Sequence, residues 1–243
     1  MTKNEIKHIQ SLADKKIRSQ ENVFIVEGIK LLAELLTSNF IIQKVYTTDD
    51  AWIENNPLIP SELIAEFEMK KISQLKTASP YFAIVTAPIK LDKLPFQERA
   101  LILDGIQDPG NLGTIIRIAD WFGIAHIIAS NDTADCYNSK VIQATMGGIF
   151  RINIHYVDLL DYLPNVKIPI LGALLHGENI NKITKITDAQ LIIGNESKGI
   201  RSAIQPFIQK AITIPQYGKA ESLNAAVATG ILVAQIFTYP EVH

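Results

Sequence analysis

From Arg99 onward the sequence alternates short runs of Ile, Leu and Val with spans of helical spacing, and this alternation leaves few folds open. The runs are "ALILDGI", "IAHIIAS", "FRINIHYV", "IPILGALL", "LIIGN" and "AITIPQ", and helices are expected to start near Leu112, Asn138, Asp158, Ser202 and Ser222. Near-continuous aliphatic runs belong to strands buried on both faces, the condition inside a parallel sheet covered by helices. Residues 99–243 therefore read as an α/β domain built on a parallel sheet. Such sheets bind ligands beyond the carboxyl ends of their strands, so the loops that follow the runs are where chemistry belongs.

The first part of the chain has a different texture. Apolar residues at Ile6, Ile9, Leu12, Ala13 and Ile17 predict one amphipathic helix from residue 3 to about 18. Its other face carries Lys3, Lys7, Lys15, Lys16 and Arg18 against Glu5 and Asp14, which is either a solvated face or a patch turned toward phosphate. A strand at "VFIVEG", a helix at "IKLLAELL", a strand at "IIQKVYTT", a helical stretch and a strand at "YFAIVTAP" complete a small α/β domain over residues 1–90. Two prolines and mixed charge in "PIKLDKLPFQE" mark a linker, placed at 91–98.

Several function classes drop out on composition and spelling. A net charge of −2 argues against a protein that coats nucleic acid through general basicity, although a local patch stays open. The single cysteine, Cys136, forms no internal disulfide. The N-terminus lacks the apolar core of a signal peptide, and the apolar run Ser222 to Phe237 is shorter than the ~20 residues that span a bilayer. A cytoplasmic protein with no membrane contact is expected. The five histidines are scattered without ligand spacing, so no metal is expected. There is no G-x-x-x-x-G-K-[ST] loop and no G-x-S-x-G elbow, and "DPGNLG" lacks the tight G-x-G of a dinucleotide fingerprint, which disfavours a nicotinamide oxidoreductase.

Three unusual segments remain, each after a predicted strand: "DPGNLGTIIRIADWFG", "LIIGNESKGI" and "IPQYGKAESLNAAVATGI". Taken one at a time they have plain explanations, with Gly194 and Gly199 as element caps and Asn111 or Ser222 as helix N-caps. In this order they resemble the three motifs of the SpoU family of RNA ribose 2′-O-methyltransferases, within the SPOUT superfamily. "ATMGGIFRINI" is similar to the stretch between the first two motifs, and the first 90 or so residues resemble that family's ribosomal-protein-like substrate-binding domain.

The resemblance implies a C-terminal domain tied into a deep trefoil knot, with S-adenosylmethionine held in the knot largely by backbone groups. Matched to this sequence, the cofactor-binding positions are Leu174, Gly194, Asn195, Glu196, Ile214, Gly218, Ser222 and Leu223. The absence of a Cβ at Gly194 and Gly218 would let main chain approach the cofactor. Arg117, Asn111, Glu196, Ser222 and Asn224 match the catalytic positions.

Arg117 stands where the family's proposed general base stands. A guanidinium is treated as always protonated, so a charged Arg117 that grips an RNA phosphate and steadies the forming alkoxide is the better reading, with a phosphate oxygen or water taking the proton. The plainer alternative is an ion pair between Arg117 and Asp120 at i+3. Glu196 could orient Asn111 or Arg117, and Asn224 could fix the ribose or the arginine. The substrate expected is structured RNA, ribosomal RNA ahead of transfer RNA; a non-catalytic RNA-binding or assembly protein of the same fold is the other class. The apolar helix "LNAAVATGILVAQIF" is expected to pack across a homodimer.

Overall fold

The computed structural model describes residues 1–88 and 93–239. Within these, residues 1–88 together with 135–150 form one compact unit, and 93–134 with 151–239 form another. Residues 135–150 were expected in the second domain and belong by packing to the first. Part of the expected linker, residues 91 and 92, lies outside the described residues.

The first unit opens with two helices where one was expected. Helix α1 (Lys3–Ser11) starts at a capping box between Thr2 and Glu5, and α2 (Lys15–Glu21) starts at Asp14, whose side chain accepts from the Lys16 N–H. Arg18 explains why the break is stable. Its guanidinium takes the carbonyls of Leu12 and Ala13 at 2.8 and 2.7 Å, groups that the interrupted helix leaves without partners. The same side chain pairs with Asp135 at 2.5 Å and is buried. Arg18 is therefore lost to the basic face that the sequence suggested.

Strand β1 (Val23–Glu27), α3 (Ile29–Leu36), β2 (Ile42–Thr47), α4 (Asp50–Asn55), β3 (Ser61–Leu63), α5 (Glu66–Ile72) and β4 (Tyr81–Thr86) follow. The sheet order is β1-β4-β2-β3. α4 and β3 are additions to the sequence reading; they are short and flank Pro57 and Pro60. A core of Ile9, Leu12, Val23, Ile25, Phe82 and Ile84 joins the helices to this sheet.

The second unit runs through β5 (Ala100–Asp104), α6 (Pro109–Trp121) and β6 (His126–Ser130). The chain then leaves it to place α7 (Ser139–Thr145) in the first unit. There Gln143 Nε2 donates to the Glu27 carbonyl at 2.8 Å, and the Tyr137 ring stacks on Phe24 at 4.6 Å. These contacts cover β1, an outer strand of its sheet whose five residues are all buried.

On return the chain forms β7 (Asn153–Val157), α8 (Leu159–Tyr162), β8 (Ile170–Asn179), β9 (Gln190–Gly194), β10 (Lys210–Thr213) and α9 (Ala225–Ile236). Six strands pair in parallel in the order β10-β8-β9-β5-β6-β7. All six predicted strands are present. The helix expected near Ser202 is only a 3₁₀ turn at Gln205–Phe207, where Pro206 removes a backbone donor.

β5 and β9 are neighbours in the middle of this sheet, with Asp104 opposite Gly194. From β5 the chain proceeds outward to β6 and β7, whereas β9 belongs to the half that ends at β10. The loops after β5 and β9 therefore diverge at a switch point, where open α/β sheets leave a crevice.

Candidate active site

The loop after β5 becomes α6 through Asp108, whose carboxylate accepts from the Asn111 N–H at 2.8 Å and caps the helix. Asn111 is thus inside the first turn and does not cap. Its side chain faces the other two motifs: Nδ2 donates to Glu196 Oε1 at 2.7 Å, and Oδ1 accepts from Asn224 Nδ2 at 2.7 Å. Asn224 in turn caps α9, its Oδ1 accepting from the Ala226 and Val227 N–H groups at 3.0 and 3.2 Å.

Partner polarity fixes the orientation of both amides. An ionised carboxylate only accepts and a backbone N–H only donates, so neither amide can be turned over without losing a bond at each end. Glu196, Asn111 and Asn224, far apart in sequence, form one hydrogen-bonded chain across the crevice. Among the described residues Glu196 Oε2 accepts from no protein group, and Asn224 is exposed, so the chain has a face open to a ligand.

Two other expected catalytic residues stand apart from this chain. Ser222 is exposed in the segment before α9 and does not cap the helix; Asn224 has that task. Arg117 is exposed on α6 and, among the described residues, makes no hydrogen bond or ion pair. Six residues of helix turn it about 120° away from Asn111, so it points along a different face. The alternative pairing with Asp120 does not occur, because Asp120 is held by Arg151, Nε to Oδ1 at 2.8 Å and a terminal nitrogen to Oδ2 at 2.8 Å.

The expected cofactor positions end or follow β9 and β10, except Leu174, which lies within β8 between them. Leu174 sits in β8 where the register with β10 jumps from Gly172 opposite Ala211 to Glu178 opposite Ile212. That jump leaves residues 173–177 without partners in β10, and Thr213 Oγ1 ties the bulge by donating to the Leu175 carbonyl at 3.1 Å. Beyond β10, Ile214 is half-buried and Leu223 exposed, and no backbone-to-backbone hydrogen bond involves residues 215–223 among those described. Gln216 Nε2 organises this segment by donating to the carbonyls of Gly218 and Ala220 at 3.0 and 2.8 Å. Main-chain N–H groups without a backbone partner among the described residues fit an adenosine-bearing ligand recognised by backbone.

The glycines divide. A Cβ on Gly218 would meet nothing within 4 Å, so packing does not demand glycine there. A Cβ on Gly194 would strike the backbone of Gly199 and Ile200, so the loop itself demands that glycine, not a ligand. Asn195 is likewise engaged inward. Its N–H and C=O pair with Gly199, Nδ2 donates to the Gly105 carbonyl at 2.7 Å, and Oδ1 accepts from the Ser197 and Lys198 N–H groups.

Comparison with known proteins bears directly on this arrangement. The family model for the SpoU rRNA Methylase family matches residues 98–234, the whole stretch that carries the crevice. The chain belongs to the SpoU family. A second model, the MRM3-like substrate binding domain, matches residues 3–83. Among SpoU relatives, the Bacillus subtilis 23S rRNA (guanosine(2553)-2′-O)-methyltransferase RlmP is 32% identical over 235 residues, 94% of each chain. A TrmH-family structure from Porphyromonas gingivalis is 33% identical, covers 98% of each chain and superposes with a TM-score of 0.89. The AdoMet-bound rRNA methyltransferase of Sinorhizobium meliloti is 28% identical, covers 97% of this chain and 94% of its own, and superposes at 0.87.

Proposed function

We propose that this SpoU protein transfers the methyl group of S-adenosylmethionine to a ribose 2′-hydroxyl of ribosomal RNA. The observation that carries the reading is the Glu196–Asn111–Asn224 chain, which unites the three motifs at the carboxyl ends of β5 and β9. Bound beside it, S-adenosylmethionine would supply an electrophilic sulfonium methyl. Leu174, Ile214, Gly218 and Leu223 are the positions that would hold it, with the main-chain N–H groups of residues 216–223, which have no backbone partner among the described residues, as donors. The amide chain offers its open side to the ribose hydroxyl and holds it in line; alignment of two bound reactants can supply ~7–11 kcal/mol of a barrier. Arg117, charged and without a protein partner among the described residues, grips an RNA phosphate, and the hydroxyl proton leaves to a phosphate oxygen or water.

A homodimer accompanies this reading. α9 buries Ala225, Ala226, Thr229, Leu232, Val233 and Ile236 on one side and leaves Val227 and Ile231 exposed on the other, 53% and 39%. Trp121, on the helix that packs against α9, is 83% exposed. Apolar surface at this density on two packed helices suits a second copy of the chain. The same reading gives the protein a cytoplasmic place of work and a C-terminal chain threaded as a knot, supported by the insertion of β9 between β8 and β5. Among the described residues no helix is long and apolar enough to cross a membrane.

The deciding experiment supplies methyl-labelled S-adenosylmethionine and ribosomal RNA from cells that lack the gene. Label is expected in one ribose, detected as an alkali-resistant linkage. Label only in transfer RNA would move the substrate class, and no transfer to either RNA would remove the reading.

A further inference from the structure

Asp104 ends β5 with its side chain fully buried, a place where a carboxylate is stable only if it is paired and hydrogen-bonded. Among the described residues one satisfies it. Arg201 gives its backbone N–H to Oδ2 at 2.7 Å and its Nε to Oδ1 at 2.5 Å, and its terminal nitrogen also lies 2.5 Å from Oδ1. That terminal nitrogen stands 3.7 Å from Asp132, which is held by the Ser130 hydroxyl at 2.6 Å.

Arg201 closes the loop that follows β9. At the start of that loop Asn195 is bonded to the Gly105 carbonyl, the residue after Asp104. The loop is therefore pinned at its two ends to two consecutive residues, Gly105 and Asp104, at the end of β5, and Glu196 lies between the pins.

We infer that Arg201 is a positioning residue for methyl transfer: its fork on Asp104 sets the loop that holds Glu196 against Asn111. The inference rests on the proposed function for its catalytic consequence and on the structure alone for its mechanical one. A guanidinium can do this because its donors are fixed in one plane; an ammonium offers charge without that geometry.

Arg201→Ala would strand a buried carboxylate and can fail to fold, so Arg201→Lys, which keeps the charge, carries the test. Amide hydrogen exchange of the ligand-free protein reads the mechanical part. Arg201→Lys should speed exchange at Asn195 and Gly199 about tenfold while α9 and β6 keep wild-type protection. Unchanged exchange at those two amides would overturn the inference, as would acceleration spread evenly over the unit.

Methyl transfer reads the rest. Arg201→Lys should lower kcat about tenfold in the wild-type background and less than about twofold beside Glu196→Gln, since both changes remove the same interaction. Losses that multiply would place Arg201 outside the action of Glu196 and overturn it. If the wild-type protein methylates no RNA, the function is wrong while the exchange result still decides whether the clamp exists.

Discussion

Replacing a hydrogen of Gly194 by a methyl group would drive it into the backbone of Gly199 and Ile200, atoms that cannot rotate out of the way. Overpacking usually costs about 1–3 kcal/mol, and a backbone obstacle puts Gly194→Ala at the upper end or beyond. Calorimetry should show a clear drop in Tm for Gly194→Ala and none for Gly218→Ala, whose new Cβ meets nothing within 4 Å.

A second prediction concerns His155. Burial, and then the charge of neighbouring His126 at a ring nitrogen separation of 3.3 Å, lowers its pKa from 6.5. A histidine that binds its proton less readily when folded favours the unfolded chain once that chain is protonated. Stability should be full above pH 6.5 and decline as the pH falls from there through the lower folded value. Urea midpoints between pH 7 and pH 5 should fall less for His155→Gln; equal slopes would contradict it. At this scale the motifs named Asn111, Glu196 and Asn224, which the fold joins by hydrogen bonds, and also Arg117 and Ser222, which stand apart from them. The sequence did not reveal Arg201, because a buried carboxylate needs a cation but its spelling does not say which of 23 will arrive.

Element by element, what was legible followed burial. Aliphatic runs give strands whatever their neighbours do, so β5 to β10 were found. Boundaries decided by one side chain were not. Arg18 turns one helix into two by collecting carbonyls, and α9 begins at Ala225 because Asn224, rather than Ser222, turns its side chain onto the helix. Asn224 has two separable tasks in this structure. Asn224→Ala removes both the cap, worth about 1 kcal/mol, and the bond to Asn111. Asn224→Asp keeps a capping oxygen but loses the Nδ2 donor and faces Asn111 Oδ1 with another acceptor. Thermal melts should therefore separate the two variants by about 1 kcal/mol, with Asp the more stable. Methyl transfer should fail in both; normal turnover in Asn224→Asp would remove the bond to Asn111 from the mechanism.

For the molecule as a whole, net charge near −2 leaves RNA binding to local groups and to the number of copies that bind together. Light scattering at assay concentration should give about twice the 27.0 kDa chain mass, and Ile231→Glu, which puts a charge on the exposed side of α9, should halve it. A wild-type mass of 27.0 kDa would dismiss the dimer. The division into units was the least legible feature. Nothing in "DCYNSKVIQATMGGIF" announces that it belongs with β1, because the partners of Tyr137 and Gln143 lie more than a hundred residues earlier.

That excursion has a consequence for how the protein is made. On the ribosome, the core of the amino-terminal portion is complete when its own last strand emerges, but Phe24 still waits for Tyr137, and Arg18 for Asp135. Until about 150 residues have left the exit tunnel, β1, an outer strand, lacks the cover that residues 135–150 supply. Early release or a slow stretch of translation before that point thus prolongs the time for which an outer strand goes uncovered.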